Sequence, residues 1–532
     1  MGNYVGVLDV CCRPCGRKGD ISYRDNKKPL TASEMTFSFK KMYESKNANN
    51  ILESKKLMDP QLYFHESLLI GKLTGNPIDK YTIDELIVKG RNNSLIYKAT
   101  LKSNGEQRIL KIIPKNKKNL QKNQSLINEI ELLEQIDNPY IIKLYEFYDC
   151  PKVICLVNEY CKGGNLNNRL ILERQFTEFT TAIIIFQLLS ALSFCHSKNI
   201  IHRNLTLSHI LIDESKRDNY IHIKIIDFSS STKVIKGVDM GDSIGNLKYT
   251  SPEVFEGKYN ETRDIWSVGI IMYKLLTGEF PFQNKDILKL KALIEICNVD
   301  FRKYPLSTVN KECIDLMKQL LNKDKNRISA QNAIKHIWFK NLNIKERLTF
   351  LPFEKIKKVL EQIMKFKPKK TLQKLCLAYL VRNFNDESVN DASNLYLQID
   401  YNNDGSIDEN EFVMHLKEII EKTGEKIDES YLKKVFENID IDKSGTVEYS
   451  EFVAAGVKKE LILKEENLRE SFDFFDKNKN GLINLEDLRV VFMKFKGFSQ
   501  DEFNSIVSDV DADENNEIDF EEYKNVMNNI ME

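Results

Sequence analysis

The chain has 532 residues, which is too long for one hydrophobic core and indicates about three or four domains. Its 42% hydrophobic and 29% charged residues are typical of a soluble globular protein, and a formal net charge of +0 argues against nucleic-acid binding through bulk electrostatics. Uninterrupted apolar runs are too short to predict a membrane-spanning helix. The ten cysteines are scattered rather than arranged as a disulfide framework, so we expect an intracellular, reduced protein.

Residues 1–80 are predicted to form an N-terminal lipidation tag and a polar linker. Gly2 directly after the first Met resembles an N-myristoylation signal, and Cys11, Cys12 and Cys15 are candidate palmitoylation sites. One acyl chain anchors a protein marginally and a second makes attachment stable, so we expect the protein at the cytoplasmic face of a membrane, plasma or internal, or in the cytoplasm. The alternatives are an unmodified tail or a C-C-x-x-C metal site.

Short strand-like runs begin near Tyr81, for example RILKII at 108–113. Helical patterns such as TAIIIFQLLSAL at 181–192 then dominate, and the segment 81–339 is predicted to be one domain. Residues 340–384 carry apolar side chains at helical spacing among many lysines, which predicts a basic amphipathic helix that could enter a groove of a helical partner. An ordinary solvated helix pair is the alternative interpretation of that junction.

The segment 385–532 contains a repeat, and this repeat is the strongest pattern in the chain. Four 12-residue segments, 400–411, 440–451, 476–487 and 511–522, begin at intervals of 40, 36 and 35 residues. Each has oxygen-bearing side chains at positions 1, 3 and 5, an apolar residue at position 8 and a carboxylate at position 12. Ca²⁺ prefers six to eight oxygen ligands with a bidentate carboxylate at position 12, so the repeat predicts four calcium sites.

The predicted calcium ligands occupy positions 1, 3, 5, 7, 9 and 12 of each loop, position 7 through its backbone carbonyl. They are Asp400, Asn402, Asp404, Ser406, Asp408 and Glu411; Asp440, Asp442, Ser444, Thr446, Glu448 and Glu451; Asp476, Asn478, Asn480, Leu482, Asn484 and Asp487; and Asp511, Asp513, Asn515, Glu517, Asp519 and Glu522. In the third loop the shorter Asp487 replaces glutamate, which predicts weaker Ca²⁺ selectivity and tolerance of Mg²⁺. Asn516 replaces the usual glycine of position 6, but asparagine adopts the left-handed region readily.

These loops resemble EF-hands, and the segment before them resembles a protein kinase. Its anchors are Lys111 at the end of a strand, Glu129 as the lysine's helical partner, D227-F228, S251-P-E253, the segment DIWSVG at 264–269 and Arg327. Together the two parts resemble a calcium-dependent protein kinase of the plant and apicomplexan type. The resemblance implies an α+β chain: a bilobal kinase-like domain, an autoinhibitory junction at 340–384 and an all-α calmodulin-like domain with four EF-hands.

The resemblance also implies ATP and Mg²⁺ as cofactors, held by Lys111, Glu129 and Asp227, but the catalytic loop departs from the family pattern. In IHRNLTLSHIL, residues 201–211, Asn204 stands at the catalytic aspartate position. Thr206 replaces the lysine that steadies the transferred phosphate, and His209 replaces the asparagine that binds Mg²⁺. An amide cannot act as a general base at neutral pH, and imidazole is a softer ligand than magnesium prefers.

The residues at the family's nucleotide-binding positions also depart from the family pattern. Alignment with the family's glycine-rich loop places Lys89, Arg91 and Ser94 at the three glycine positions, where side chains obstruct the approach of the backbone to phosphates. Three further replacements lie at nucleotide- or substrate-contacting positions: Ile109, Asn165 and Ser229. The scaffold is retained while the chemistry is replaced, so nucleotide and Mg²⁺ binding is predicted to be weak or absent.

The hypothesis that follows is a membrane-associated calcium sensor with degenerate catalytic motifs, a pseudokinase that acts as a scaffold or signalling regulator. A calcium-activated, ATP-dependent Ser/Thr kinase with an unusual catalytic set is the enzyme alternative. A calcium buffer, whose EF-hands barely open on binding, is a third possibility. The sequence does not identify the protein partner or substrate.

Overall fold

The computed structural model describes most of the chain from residue 71 onward. The described ranges are 71–73, 76–90, 93–115, 120–150, 152–214, 219–235, 240–241, 245–323, 326–368, 370–384, 386–422, 427–441, 443–492 and 506–529. The lipidation candidates Gly2, Cys11, Cys12 and Cys15, together with Arg91 and the ligand Asp442, lie outside these ranges. Contacts divide the chain into two units: Ile70–Ile127 with Lys143–Tyr160 belong to the first, and Asn128–Ile142 with Cys161–Glu532 to the second.

The first unit is built on a six-stranded sheet of the order β1-β5-β6-β4-β3-β2. Its strands are β1 (Gly71–Leu73), β2 (Tyr81–Lys89), β3 (Leu95–Leu101), β4 (Gln107–Pro114), β5 (Leu144–Asp149) and β6 (Val153–Glu159), with the short helix α1 (Pro77–Lys80) before β2. Alternate residues of the central strand β4, including Leu110 and Ile112, are buried in the core of this unit. This period of two is what a strand with one packed face requires, and the strand predicted at 108–113 is confirmed.

The kinase-like part of the second unit is mainly helical. Helix α2 (Leu120–Glu134) begins in the first unit and ends in the second. The helices that follow it are α3 (Leu166–Glu173), α4 (Glu178–Ser197), α5 (Thr262–Thr277), α6 (Ile287–Ile296), α7 (Lys311–Leu320), α8 (Ala330–Ala333) and α9 (Ile337–Asn341), and the short strands are β7 (Ile200–Ile201), β8 (Ile210–Asp213), β9 (His222–Ile225) and β10 (Thr232–Lys233). Among the described helices, α4 alone is long and apolar enough to cross a membrane, and 83% of its most apolar window is buried within the protein. A helix that is apolar on all sides and packed in this way is a core helix.

The junction and the calcium-binding part complete the second unit. Their helices are α10 (Ile344–Leu348), α11 (Phe353–Lys365), α12 (Thr371–Asn383), α13 (Glu387–Ile399), α14 (Glu409–Glu421), α15 (Glu429–Ile439), α16 (Tyr449–Gly456), α17 (Lys459–Ile462), α18 (Glu465–Phe475), α19 (Leu485–Phe492) and α20 (Phe520–Asn528). The junction therefore forms several helices rather than one. Helix α11 packs on α13 and α16, and α12 packs on α16 and α18, so the junction helices contact EF-hand helices directly.

A buried ion pair fixes the helical scaffold of the kinase-like part. Arg327 donates from Nη1 and Nη2 to the two carboxylate oxygens of Glu253, at 2.6 and 3.0 Å, and from Nη1 to the carbonyl of Thr262 at 2.9 Å. Burial alone would raise the pKa of Glu253, but hydrogen bonding and the charge of Arg327 outweigh burial and lower that pKa. The guanidinium also lies over the ring of Trp266, one of only two tryptophans in the chain.

We expect Arg327→Met to lower the free energy of unfolding by about 3 kcal/mol, because it leaves the Glu253 carboxylate without its partner. Urea unfolding followed by tryptophan fluorescence measures this loss at pH 7. The pKa of Glu253 is lower in the folded protein than in the unfolded chain, where it is about 4.3. The ion pair therefore stabilises the fold fully above about pH 4.3, and this contribution is lost as the pH falls through the pKa that Glu253 has in the folded protein. Lys303→Met, which breaks an exposed pair with Glu279, is the control and should leave the midpoint unchanged.

Candidate functional site

The loop at residues 201–211 keeps a defined backbone although its catalytic side chains are replaced. The buried carboxylate of Asp264 accepts the backbone N–H groups of His202 and Arg203, at 2.8 and 2.9 Å. Arg203 has φ 65°, and its carbonyl accepts a hydrogen bond from Arg263 at 2.9 Å. Burial would raise the pKa of Asp264, but hydrogen bonding from His196 and the surrounding charges lower it. The ionised Asp264 thus holds the turn at the start of the loop.

Two of the three replaced residues of this loop, Asn204 and Thr206, are buried. Asn204 is 6% exposed and its backbone N–H faces Nδ1 of His202 at 3.3 Å. Thr206 is also 6% exposed and lies in extended backbone directly before a short 3₁₀ turn, Leu207–His209. An amide and a hydroxyl at these places supply neither a carboxylate base nor a cation for a phosphate. The loop is therefore folded, with a buried amide at position 204 and a buried hydroxyl at position 206.

The structure brings His209 and Asp227 together. Nε2 of His209 lies 3.2 Å from Oδ2 of Asp227, and Nδ1 of the same ring donates to the carbonyl of Asn204 at 2.8 Å. The hydroxyl of Ser229 donates to Oδ1 of Asp227 at 2.7 Å. Asp227 itself has φ 68° and ψ 67°, in the left-handed region that a non-glycine residue seldom adopts. Two replaced family positions, 209 and 229, thus both engage the retained aspartate.

The predicted nucleotide-side residues belong to different units. Lys111 lies in β4, paired with Ile96 on one side and Leu156 on the other, and Glu129 is a buried residue of helix α2. Lys89 ends β2 and Ser94 precedes β3, where it is 7% exposed. The backbone N–H of Gly90 donates to the carbonyl of Ser94 at 2.8 Å, which joins the end of β2 to the start of β3.

One position that departs from the family pattern has a structural function that sequence reasoning missed. Asn165 caps helix α3, because its side-chain oxygen accepts the backbone N–H of Asn168 at 2.9 Å. Asparagine directly before a helix is a common N-cap, and that signal was present in the sequence.

The four predicted calcium loops share one backbone turn. In each loop the carboxylate at position 1 accepts the backbone N–H of position 6, with distances of 3.2, 3.0, 2.8 and 2.6 Å in chain order. Positions 4 and 6 have positive φ in all four loops, including Asn516 with φ 65°. Asparagine therefore adopts the glycine conformation in the fourth loop, as predicted.

The loops associate in two pairs through their position-8 residues. Ile407 pairs with Val447 between strands β11 (Ser406–Asp408) and β12 (Thr446–Glu448), and Ile483 pairs with Ile518 between β13 (Ile483–Asn484) and β14 (Glu517–Ile518), both antiparallel. All four side chains are buried. Each pair therefore links two loops by backbone hydrogen bonds.

The carboxylates at position 12 turn into their loops. Glu411, Glu451 and Glu522 each accept a backbone N–H of their own loop within 2.9 Å, and the shorter Asp487 accepts the N–H groups of Lys477 and Asn478 at 3.1 and 3.2 Å. In the fourth loop, Asp511, Asp513 and Glu522 offer ligand atoms that all lie within 4.8 Å of one another. This donor set consists of hard carboxylate oxygens and fits a calcium ion.

The carboxylate at position 1 of the first loop is almost fully buried. Asp400 is 2% exposed, its Oδ1 has no hydrogen-bond partner among the described residues, and burial raises the pKa of Asp400 to about 7 despite the opposing charge of Lys345. A buried carboxylate oxygen without a hydrogen-bond partner is costly, and a bound cation relieves that cost. The residues of this loop therefore also fit Ca²⁺.

The first EF-hand pair contacts the kinase-like part of the second unit, and sequence reasoning missed this. Asp137, which lies after helix α2 and is buried, accepts both the backbone N–H and the hydroxyl of Ser450 at 2.7 and 2.8 Å. Ser450 is in the first turn of α16, one residue before the calcium ligand Glu451. No local pattern indicates this pairing, because the two residues are 313 positions apart.

Two further contacts involve predicted calcium ligands directly. Lys198, at the end of the core helix α4, forms a 2.6 Å ion pair with Glu448, position 9 of the second loop. Lys345 donates to the backbone carbonyl of Asp400, position 1 of the first loop, at 2.7 Å. Predicted calcium ligands of the first pair thus contact Lys198 of the kinase-like part and Lys345 of the junction.

Comparison with known proteins finds the same two-part architecture. The protein kinase domain family matches residues 81–339, and the EF-hand domain pair family matches 390–455 and 465–528. Calcium-dependent protein kinase 4 of Plasmodium falciparum is 28% identical over 517 residues, covering 95% of this chain and 96% of the relative. Its namesake in Plasmodium berghei is 30% identical over 458 residues, 84% and 86% of the two chains. Calcium-dependent protein kinase 9 of Arabidopsis thaliana is 29% identical over 446 residues, 83% and 80%.

Proposed function

Because the chain belongs to the calcium-dependent protein kinase family, we propose that it senses calcium in a kinase frame that no longer transfers phosphate and acts as a signalling scaffold. The observation that carries this proposal is the combination of a well-ordered loop at 201–211 with non-catalytic side chains at Asn204, Thr206 and His209. The scaffold residue Asp264 that holds this loop is retained, whereas the residues at the family's catalytic positions are replaced. EF-hands in the same chain supply calcium binding.

The absence of a carboxylate at position 204 supports the proposed loss of phosphoryl transfer. Asn204 follows the turn in which Asp264 binds the backbone N–H of Arg203, and its side chain is buried. An amide at that position cannot accept the proton of a substrate hydroxyl at neutral pH, and such proton transfer contributes about 10²–10⁴-fold to rate. Phosphoryl transfer depends mostly on positioning and electrostatics, so losing several groups at once leaves little catalysis.

The contacts of the first EF-hand pair support a sensor rather than a buffer. Glu448 and Asp400 are predicted calcium ligands. Glu448 pairs with Lys198 of the kinase-like part, and the backbone carbonyl of Asp400 accepts a hydrogen bond from Lys345 of the junction. Calcium in the second loop would compete with Lys198 for the Glu448 carboxylate, and calcium in the first loop would neutralise the Asp400 carboxylate that attracts Lys345. Filling the sites therefore changes the contact between the calcium-binding and kinase-like parts.

A calcium titration of the purified protein tests the sensor. Calorimetry should detect at least two sites in the range of about 10⁻⁷–10⁻⁵ M that is typical of EF-hand sensors. Hydrogen exchange at residues 128–142, which include Asp137, should change as those sites fill. Fewer than two sites, or filled sites with unchanged exchange, would rule out the sensor.

Membrane attachment is part of the proposal and is supported by Gly2 with Cys11, Cys12 and Cys15. We expect Gly2→Ala to move the protein to the soluble fraction, and the double change Cys11→Ser, Cys12→Ser to do so partly, because two acyl chains anchor where one does not. Cell fractionation of the whole chain, with its N-terminus left free, measures the share of each variant in the membrane fraction. Cys297→Ser, outside the tag, is the control. Unchanged fractionation of Gly2→Ala would exclude myristoylation as the anchor.

A second candidate function is calcium-activated Ser/Thr kinase activity with an unusual catalytic set, acting on an unidentified protein substrate. Lys111, Glu129 and Asp227 favour it, since they occupy the nucleotide and metal positions of the family, and so does the name of the relatives. Measuring phosphoryl transfer by the wild-type protein separates the two candidates.

A further inference from the structure

Two phenylalanine side chains are exposed in the junction, at the turn that leads into helix α11. Phe350 is 70% exposed, and Phe353, the first residue of the helix, is 44% exposed. Pro352 between them is exposed as well. Single exposed apolar residues are common on proteins, whereas several large ones in one short turn form a candidate interaction site. We call residues 350–353 the aromatic turn.

The aromatic turn is held in place by helix α13. Thr349 and Leu351, on either side of the first phenylalanine, are buried. The carbonyl of Thr349 accepts a hydrogen bond from Nε2 of Gln398 in α13 at 2.6 Å. After the turn, Lys355 forms an ion pair with Asp391 of the same helix at 3.0 Å. The two phenylalanines are therefore exposed on a braced turn and not on a loose loop.

The surroundings of the aromatic turn are basic. Residues 340–367 contain eight lysines and arginines against three glutamates. All three glutamates are exposed, and so are six of the basic residues: Lys340, Arg347, Lys357, Lys358, Lys365 and Lys367. Lys357 lies four residues after Phe353, so the two side chains are neighbours on one face of α11. The surface around the exposed phenylalanines therefore favours an anionic partner.

This combination fits an anionic membrane surface better than a protein partner. Segments that lie at a membrane surface combine Phe or Leu with lysines, whose long stems cover apolar surface while their ammonium groups reach the headgroups. The cores of protein–protein interfaces are instead depleted of lysine. On α11, Val359, Leu360 and Ile363 are buried within the protein. A contact outside the protein would therefore use the aromatic turn and the lysine-bearing face.

We infer that the aromatic turn enters the headgroup region of an anionic membrane, with Lys357 and Lys358 against the negative lipid headgroups. This contact needs no acyl chain, so it is separate from the attachment proposed for Gly2. One acyl chain anchors a protein marginally, and a basic apolar contact is the kind of second signal that makes attachment stable. The contact would also place helix α11, which packs on EF-hand helices, at the membrane.

Co-sedimentation of the purified full-length protein with lipid vesicles tests the inference. The parent protein carries Gly2→Ala and no acyl chain, and EGTA is present because Ca²⁺ can bridge acidic side chains to anionic lipid. We expect binding to vesicles of equal parts phosphatidylcholine and phosphatidylserine, and much weaker binding to phosphatidylcholine alone. Phe350→Ser with Phe353→Ser should weaken binding to the mixed vesicles at least about tenfold, because the apolar contact is lost. Lys357→Gln with Lys358→Gln should weaken it about tenfold, because each lysine near an anionic surface contributes to binding.

Leu288→Ser with Ile296→Ser is the matched control. These two residues of helix α6 are exposed apolar side chains, 77% and 62%, so the control removes a similar amount of apolar surface elsewhere. It should bind vesicles as the parent does. Phe353→Trp gives a second readout, since its fluorescence should shift to shorter wavelength when the ring enters the mixed vesicles. The two natural tryptophans, Trp266 and Trp338, are buried and give a constant background.

Weaker binding of the phenylalanine variant but not of the control, together with the fluorescence shift, would support the inference. It would be overturned by a parent protein that does not bind the mixed vesicles, or by equal losses in the phenylalanine and control variants. Unchanged Phe353→Trp fluorescence on vesicle-bound protein would also overturn it, because the turn would then stay outside the lipid. That variant keeps an apolar ring, so it still decides the matter if the serine variant does not fold. Each of these failures leaves acylation at Gly2 and the loss of phosphoryl transfer to their own tests.

Discussion

Asn204→Asp alone is expected to restore almost no phosphoryl transfer, although it returns the catalytic carboxylate to its place. Asp264 holds the backbone of His202 and Arg203, directly before residue 204, so we expect the new carboxylate to take the place of the Asn204 amide. It would still lack the lysine at position 206 and a free metal site, since His209 engages Asp227. Groups that act as a unit are non-additive, so repairing one gains little while the others are missing.

Repairing the set together should gain far more than the sum of the single repairs. The set is Asn204→Asp, Thr206→Lys and His209→Asn in the catalytic loop, with Lys89→Gly, Arg91→Gly and Ser94→Gly on the nucleotide side. The general base alone is worth about 10²–10⁴-fold once the other groups are present. Peptide phosphorylation by each variant measures the gains, and adding Lys111→Met to the repaired protein should abolish the activity. A single Asn204→Asp variant working at about 1–100 s⁻¹ would contradict this account.

Glu451→Gln is expected to weaken calcium binding to the second loop by at least about 10–100-fold, the loss that follows removal of even an outer-shell partner of a metal. Glutamine cannot supply the bidentate carboxylate of position 12. Ser450, its neighbour, donates twice to Asp137, so the calcium-dependent change in hydrogen exchange at residues 128–142 should be lost as well.

Glu522→Gln is the matched control, because it makes the same chemical change at position 12 of the fourth loop. The described residues of that loop, including Asp513 and Asn515, are largely exposed, and no contact like that of Ser450 with Asp137 is found for them in the described part of the chain. Glu522→Gln should remove one calcium site in calorimetry and leave exchange at 128–142 responsive to calcium. If the two variants alter that exchange equally, the contact at Asp137 does not couple calcium to the kinase-like part.

The parts of the fold that follow local rules were predictable from the sequence. A 12-residue loop carries its own ligands at fixed spacing, so all four turns, including the one at Asn516, could be identified without a structure. The strand at 108–113 and the helix at 181–192 followed from their periodicity. The kinase-like fold was identified from its motifs, because Asp264 and Arg327 are scaffold residues.

The interactions between distant segments could not be predicted in this way. Lys198 and Glu448 are 250 residues apart, and nothing in either segment selects the other. The pairing of His209 with Asp227 depends on a backbone turn that the sequence does not reveal, although the replacement at 209 was noticed. Asn165, a replacement at a nucleotide- or substrate-contacting position of the family, also caps a helix, and asparagine directly before a helix is a local signal for that function.

The most direct test of the central claim, that this protein senses calcium without transferring phosphate, is a phosphoryl-transfer assay on the wild-type protein across a calcium titration. ATP, Mg²⁺ and a peptide substrate are held in excess, and occupancy of the EF-hands is followed in the same samples. We predict that the sites fill while the transfer rate stays at background at every calcium concentration. A rate that rises with site occupancy to about 1–100 s⁻¹ would contradict the account and establish a calcium-activated kinase.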